Sequence, residues 1–329
     1  MFCLLAGGPV LAQHRPADTS FVHAYQKEHV IETYSGQYGT RFNFISADNR
    51  KNNYKLVANT SSYAGTYLNY KWLSFRYSWS IPGTRLDKNT KFHYTSLSFK
   101  FSHGSMLFRP FYHSYNGLLI PERKERRRMT YTPLRDIHVS DAGTDFYYLT
   151  NTRRFSFNAA NYFSERQVKS AGSFLLMATP MWERLARNMP PALPSPATGP
   201  YAGTNPAIPQ QNFFLSTNKQ WFSLIARVGY TYNLALARGK WSIAPTVLVG
   251  GGGLKELNTT DKYIRPVYDE QSWINAGYNG DRYYFYLNAR WNHRQTNLLI
   301  RHMNQTDTDL SATAGYRLGN LKKKILGIL

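Results

Sequence analysis

Leu73-Ser74-Phe75-Arg76-Tyr77-Ser78-Trp79-Ser80 is the stretch on which the reading of this chain turns. Successive side chains of a strand point to opposite faces. Leu73, Phe75, Tyr77 and Trp79 therefore share one face, and Ser74, Arg76, Ser78 and Ser80 share the other. The pattern recurs about a dozen times, with almost no helical periodicity between the repeats to cover the apolar faces. Those faces need an apolar partner that is not protein, and lipid is the candidate.

The composition fits that reading. The chain has 329 residues, 16% of them aromatic, with 25 Tyr, 19 Phe and 7 Trp. Aromatic girdles at two membrane interfaces use residues of this kind. Past the N-terminus no run of about 18 apolar residues occurs, so a helical span is not expected. Lys and Arg number 40 against 19 Asp and Glu, a formal charge of +21. Such a balance suggests anionic partners: lipid head groups, lipopolysaccharide, anionic solutes or glycans. Nucleic acid is not expected, because no zinc-finger spacing, RNP-like motif or basic helix is present. Residues 1–12 read as the apolar core of a signal peptide, with Val10-Leu11-Ala12 as cleavage site and Gln13 as the first mature residue. The missing basic n-region makes this leader read as truncated at its start. Cys3, the single cysteine, lies inside it. Disulfides, Cys-ligated metals and thiol catalysis are thereby excluded from the mature chain.

Alternation and turn signals predict strands at roughly 40–47, 62–70, 73–81, 92–103, 106–117, 153–163, 169–180, 219–233, 240–253, 270–279, 282–292 and 308–318. The connections between them alternate strictly between short and long. Lys71-Trp72, Gly104-Ser105, Ser164 to Val168, Leu234 to Gly239 and Gly280-Asp281 are the short ones. Tight periplasmic turns, long external loops and an even strand count describe an outer-membrane barrel with both termini periplasmic. The expected organisation is a signal peptide at 1–12, a periplasmic lead-in at 13–37, the barrel at 38–319 and a basic, apolar tail at 320–329. The loops 118–152 and 181–218 are expected outside. The first carries Arg123, Lys124, Arg126, Arg127 and Arg128, and the second is Pro-rich from Met189 to Pro209.

A cation facing mid-bilayer lipid costs roughly 2–4 kcal/mol. Arg76, Lys100, Arg227 and Arg290 are therefore expected to point into the lumen, with Arg154 and the further candidates Arg41 and Arg109. On the predicted strands every Asp and Glu falls in a lead-in, turn, loop or strand end. The lumen is then expected to be basic and anion-favouring, its cations hydrated, met by loop acids or met by a bound anion. Pro110 inside a strand predicts a bulge. Gly172 and Gly250-Gly251-Gly252-Gly253 predict bends or close packing.

Catalysis finds little support. Phe111-Tyr112-His113-Ser114-Tyr115-Asn116-Gly117 superficially resembles the His-x-Ser-Asn-Gly element of outer-membrane phospholipases. Adjacent strand residues point apart, however, so His113 and Ser114 cannot act together. His103 and Ser105 have the right spacing but flank a turn at Gly104. No His, Asp or Glu cluster has metal-ligand spacing, and no cofactor is expected.

Ordered motifs resemble the uncharacterised outer-membrane barrel family called domain of unknown function 4421, over nearly all of residues 18–318. They are Asp18-x-x-Phe21-Val22, Tyr70-Lys-Trp-Leu-Ser-Phe75 with Ile81-Pro82-Gly83, Tyr115-Asn-Gly117, Phe155-Ser156, Glu165-Arg-Gln-Val-Lys-Ser-Ala-Gly-Ser173, Ala276-Gly-Tyr-Asn279 and Gly315-Tyr-Arg-Leu318. Leu318 replaces the aromatic on which members usually end. The resemblance implies the fold and the compartment and supplies no activity or catalytic residue. The segment with Glu165, Arg166, Gln167 and Lys169 reads as a cap on the barrel floor or a docking point for a periplasmic or outer-membrane partner. The expected protein is a closed, antiparallel, up-and-down transmembrane β-barrel of about 12 strands in a Gram-negative outer membrane. Its expected function is a small-solute channel, with a closed accessory barrel and a lipid-modifying enzyme as alternatives.

Overall fold

A computed structural model describes residues 17–25, 29–46, 54–59, 62–70, 73–87, 94–123, 129–187, 218–257, 259–260, 262–297 and 301–318. The wall is built from β2 (His29–Ser46), β4 (Ser62–Tyr70), β5 (Leu73–Ser80), β6 (Tyr94–His103), β7 (Met106–Arg123), β8 (Met129–Leu149), β10 (Ala171–Arg187), β11 (Lys219–Leu236), β12 (Trp241–Glu256), β13 (Arg265–Asn279), β14 (Tyr283–Asn297) and β15 (Arg301–Leu318). Each strand is antiparallel to the next. Pairing of β15 with β2 from Arg317↔Val30 to Arg301↔Ser46 closes a cylinder of twelve strands. A short strand, β3 (Tyr54–Ala58), pairs with Arg41 to Phe44 of β2 and with Leu118 and Leu119 of β7. It bridges the wall above the external ends of β4, β5 and β6, which are only 9, 8 and 10 residues long.

Alternation decides which side of the wall is apolar. Phe174, Leu224, Val228, Val247, Leu287 and Leu310 all face outward and are more than half exposed. Near the periplasmic rim, Trp241 packs edge-on against Tyr278 at 5.4 Å and Phe285 at 5.8 Å, and Tyr283 meets Tyr316 at 5.1 Å. A closed barrel with an outward apolar belt and aromatic girdle is a membrane-spanning structure with no unpaired edge. It is an outer-membrane barrel of the Gram-negative type.

The strand count agrees with the sequence reading, but the course of the chain differs in one region. The stretch 118–152, expected as an external loop, is mostly the outer part of β7 and the 21-residue β8. The expected strand at 153–163 is absent. A helix, α1 (Phe157–Tyr162), stands there, with Ser156 Oγ accepting from Ala159 N at 2.9 Å and Phe163 ending it in the left-handed region at φ 51°. β9 (Glu165–Gln167) follows and pairs with β1 (Val22–Ala24), which precedes the barrel. The barrel also starts earlier than expected: residues 29–37, read as periplasmic lead-in, belong to β2.

Pro110 produces no bulge. Without an N–H it leaves a gap in the β6–β7 ladder between Ser98↔Phe111 and Phe101↔Phe108, and the register continues. The register shift lies instead between Asn116 and Leu118, around Gly117 at φ 82°.

Candidate functional site: a stoppered, ion-paired lumen

The connector 150–170 between β8 and β10 fills the periplasmic end of the barrel. Phe157 packs on Tyr147 of the wall at 5.5 Å, and Tyr162 stacks near Tyr67 at 6.4 Å. Trp273 Nε1 and Asn275 Nδ2 donate to Asn161 Oδ1 at 2.6 and 3.2 Å. Lys100 Nζ donates to Asn158 Oδ1 at 3.2 Å and lies 4.0 Å above the Tyr162 ring. Phe163 stacks on Tyr286 at 4.6 Å. Lumen side chains of several strands thus hold one short segment that is not part of the wall.

From below, the segment is pinned by the motifs that carried the family resemblance. Asp18 folds the lead-in back, its carboxylate accepting from Ser20 N at 3.0 Å. Gln167 Nε2 donates to the carbonyls of Phe21, Arg154 and Lys169, and its Oε1 accepts from Ser156 N at 2.9 Å. Ser156 Oγ donates to Glu165 at 2.5 Å. Arg166 donates to Asp281 at 2.7 Å and to Tyr25 Oη at 3.2 Å. Arg317, fully buried, donates to the Phe163 carbonyl and to Asn279 Oδ1, and sits between the rings of Tyr25 at 3.7 Å and Tyr284 at 4.3 Å. Burial raises the pKa of the Tyr25 phenol against the pull of Arg317 and Arg166, so it stays a hydroxyl donor to Asn279. Glu165, Arg166 and Gln167 therefore satisfy groups of the lead-in, the connector and the turn at 279–281. The exposed Lys169 caps the Phe21 ring at 5.2 Å. Arg154 is exposed on this floor, 5.3 Å from the Phe21 ring, and does not face the lumen.

Above the stopper, Arg76, Lys100, Arg227 and Arg290 point inward, as alternation requires, and so does Arg109; Arg41 points out. The expected shortage of carboxylates is overturned. Arg76 donates to Glu32 at 3.3 Å, Arg109 to Asp145 at 3.1 Å and Arg227 to Asp269 at 2.5 Å. Arg294 bridges Asp269 at 3.3 Å and Glu183 at 2.9 Å, and His113 meets Asp141 at 2.8 Å. Thr179 donates to Asp145 and accepts from Arg227, both at 2.8 Å, which joins the pairs into a belt. Most of these acids lie where strands outrun their turn signals: Glu32 in the supposed lead-in, Asp141 and Asp145 in the supposed loop, Glu183 and Asp269 just past predicted strand ends.

Gly250 makes one link of this belt possible. Arg227, Gly250 and Asp269 are register neighbours on β11, β12 and β13. The arginine crosses a strand that presents no side chain there. Close packing at the glycine run thus agrees with expectation.

A cavity of about 320 Å³ lies in this lumen. Its wall includes Trp273, Arg290, Asp307 and Asp309, and at the outer end Phe42, Leu56, Tyr115, Leu118 and Trp221, members of a buried apolar cluster. Asp307 accepts from Thr40 at 2.6 Å, Tyr38 at 3.2 Å and Gln305 at 3.0 Å; Asp309 accepts from Tyr63 at 2.6 Å. His113 faces this space, whereas Ser114 faces outward and meets His138 Nε2 at 3.3 Å. Those two neighbours form no nucleophile–base pair. Among the described residues no group of three His, Cys, Asp or Glu could hold a metal ion. Lys124, Arg126, Arg127 and Arg128 lie outside the described residues, as does the Arg123 side chain.

Three solved barrels illustrate the fold likeness. The translocator domain of the autotransporter NalP from Neisseria meningitidis is 11% identical, covers 88% of this chain and 88% of its own, and has a TM-score of 0.41. The β domain of the Bordetella autotransporter BrkA is 11% identical over 86% of this chain and 99% of its own, with a TM-score of 0.39. An outer-membrane channel from Pseudomonas putida F1 is 9% identical over 92% and 99%, with a TM-score of 0.38. No curated protein matches the chain in sequence. The family described as a domain of unknown function, DUF4421, matches residues 16–318, and the chain belongs to that family.

Proposed function

We propose that this barrel is a small-solute channel closed at rest by its own β8–β10 connector. The observation that carries the reading is the stopper. It is a segment separate from the wall, held by side-chain contacts, beneath a cavity walled by charges of both signs. A filled structural barrel has no need of such a cavity. An anion preference loses its premise, because Arg76, Arg109, Arg227 and Arg294 meet carboxylates and Arg290 lies beside Asp309 in the register. Planar-bilayer recording tests the proposal. The intact protein is expected to be nearly silent, and replacement of Phe157–Tyr162 by a Gly-Ser linker is expected to give steady, weakly selective conductance. A folded, stopper-deleted barrel that stays silent would end the channel reading.

A closed accessory barrel is the second reading, favoured by the exposed cations Arg153, Arg154, Lys169, Arg238, Lys240 and Arg282 on the periplasmic side. A periplasmic partner that binds the intact barrel and is lost with Lys169→Ala and Arg154→Ala would favour it.

A further inference from the structure

We infer that the lumen wall on β14 and β15 is a binding site for a small zwitterion bearing an ammonium group, such as a basic amino acid or a dipeptide. The inference rests on the channel reading and names its solute class. It follows from which lumen charges are left open. Arg76, Arg109, Arg227, Arg294 and His113 each have a carboxylate partner. Lys100 is engaged with the stopper. Arg290, Asp307 and Asp309 stand apart: each borders the cavity, and none is in an ion pair among the described residues.

The register puts them together. Arg290 on β14 is the direct neighbour of Asp309 on β15, and Asn292 is the neighbour of Asp307. Residues two apart on a strand share a face, so the four form one patch. Arg290 nevertheless lies over Trp273 on its other side, at 5.2 Å, and is not in an ion pair with Asp309. The two carboxylates are fixed by the hydroxyls of Thr40, Tyr38 and Tyr63 and the Gln305 amide, all neutral donors. Such bonds orient a carboxylate without cancelling its charge, and the guanidiniums that attract these acids, Arg294 for Asp307 and Arg290 and Arg76 for Asp309, do so from beyond ion-pair distance. Asn292 Oδ1 is buried and has no hydrogen-bond partner.

The chemistry of the occupant follows from this inventory. Asp307, Asp309 and Asn292 offer acceptors and lack a charged donor; an ammonium brings three N–H donors. The Arg290 guanidinium presents a fork suited to a carboxylate. A cavity of about 320 Å³ is at the small end of ligand pockets. The net balance of the patch, two carboxylates against one guanidinium, favours a solute whose ammonium charge equals or exceeds its carboxylate charge.

L-lysine is the probe, with n-butylamine as the single-charge control. The full chain is refolded from urea into detergent in the presence of radiolabelled probe, so that closed ends cannot exclude it. Binding is read by equilibrium dialysis, with folding checked by heat-modifiable gel mobility. Wild type is expected to bind lysine saturably. Asp307→Asn/Asp309→Asn is expected to weaken lysine binding about tenfold or more. Arg290→Met is expected to weaken lysine and leave butylamine unchanged. If the double variant does not fold, Asp309→Asn alone carries the test. Folded wild type without saturable lysine binding, or acid variants that bind as wild type, would overturn the site. Loss of the site with conductance intact in the stopper-deleted barrel would leave the channel reading standing. Lysine binding in a barrel that never conducts would remove the channel and keep the site.

Discussion

The lumen wall divides into two regions with the same residue types and opposite arrangements. From β7 round to β14, guanidinium meets carboxylate. Arg294 on β14 even reaches Glu183 on β10, with three strands of wall between them. From β14 through β15 to β4, the outer carboxylates meet hydroxyls: Thr40 and Tyr38 on β2 hold Asp307, and Tyr63 on β4 passes Gly36 to hold Asp309. Glu32 on β2, nearer the stopper, is the exception in this sector, accepting from Arg76 as well as from Tyr284. Burial alone does not separate the two regions: Asp145 and Asp269 are buried and Asp307 and Asp309 half-buried, yet Glu183 in the belt is half-buried too. Partner type does. A cation–carboxylate belt ties distant strands and fixes the bore of the barrel. Carboxylates held by hydroxyls keep their charge available to whatever enters.

The comparison is broken most directly at Asp269, which serves both Arg227 and Arg294. Arg227 and Asp269 are each 2% exposed. Asp269→Asn leaves two guanidiniums without their shared charge and is expected to cost about 3–5 kcal/mol. Urea unfolding in lipid vesicles reads this as a lower midpoint. Replacing the pair together, as Arg227→Met/Asp269→Leu, is expected to cost much less, because no charge is stranded. Gly250→Val attacks the same link sterically. A Cβ there would lie 2.0 Å from the Ala226 carbonyl oxygen, backbone that cannot step aside. A loss of about 1–3 kcal/mol is expected. It should add less than fully to that of Asp269→Asn, since both break one contact.

Much of this molecule was legible in its sequence, and the failures have a common physical cause. Period-two alternation located the outward faces of β5, β6, β11, β14 and β15, because lipid penalises a single error on that side. The lumen tolerates Pro, Gly and charge, so turn-like residues there do not end a strand. Pro121 and Pro133 both sit within paired strands, and the stretch with Asp141 and Asp145 reads as loop although it is wall. Missing those strand halves hid the carboxylates and made the lumen look basic. The connector failed differently. Phe155, Phe157 and Phe163 alternate apolar and polar as a strand would, yet they pack inside the barrel beneath the cavity. Phe155-Ser156 with Glu165 to Gln167 was a usable signal, since Ser156 caps α1 and bonds to both Glu165 and Gln167.

The floor offers a third arrangement that sharpens the contrast. Arg317 is a buried cation that meets a carbonyl, an amide and two tyrosine rings, with its Nε and Nη1 lacking hydrogen bonds. Arg317→Met removes the cation without stranding a carboxylate. Its effect on global stability is expected to be about 1–2 kcal/mol, from lost hydrogen bonds and ring contacts. Its local effect should be larger. Amide hydrogen exchange at Phe157 to Phe163 is expected to quicken, whereas exchange in the β11–β13 ladders stays slow. Equal acceleration in both places would mean that the stopper is not a separable unit.

The smallest expected effect is also the sharpest test of the division. Asp307→Asn is the same chemical change as Asp269→Asn, on the same face of the same barrel. The amide keeps an acceptor oxygen for Thr40 and Tyr38 and strands no guanidinium, because Arg294, which attracts Asp307 only from beyond ion-pair distance, keeps Asp269 and Glu183. Removing an unpaired charge from a low-dielectric wall also relieves a desolvation cost. The two contributions oppose each other, and the net change in unfolding free energy is expected to stay within about 1 kcal/mol of wild type. Measured by the same urea titration, the two variants should therefore differ by severalfold in cost. If Asp307→Asn were as damaging as Asp269→Asn, the carboxylate would be serving an unseen cation in the resting barrel, and the wall of β15 would belong to the closed belt.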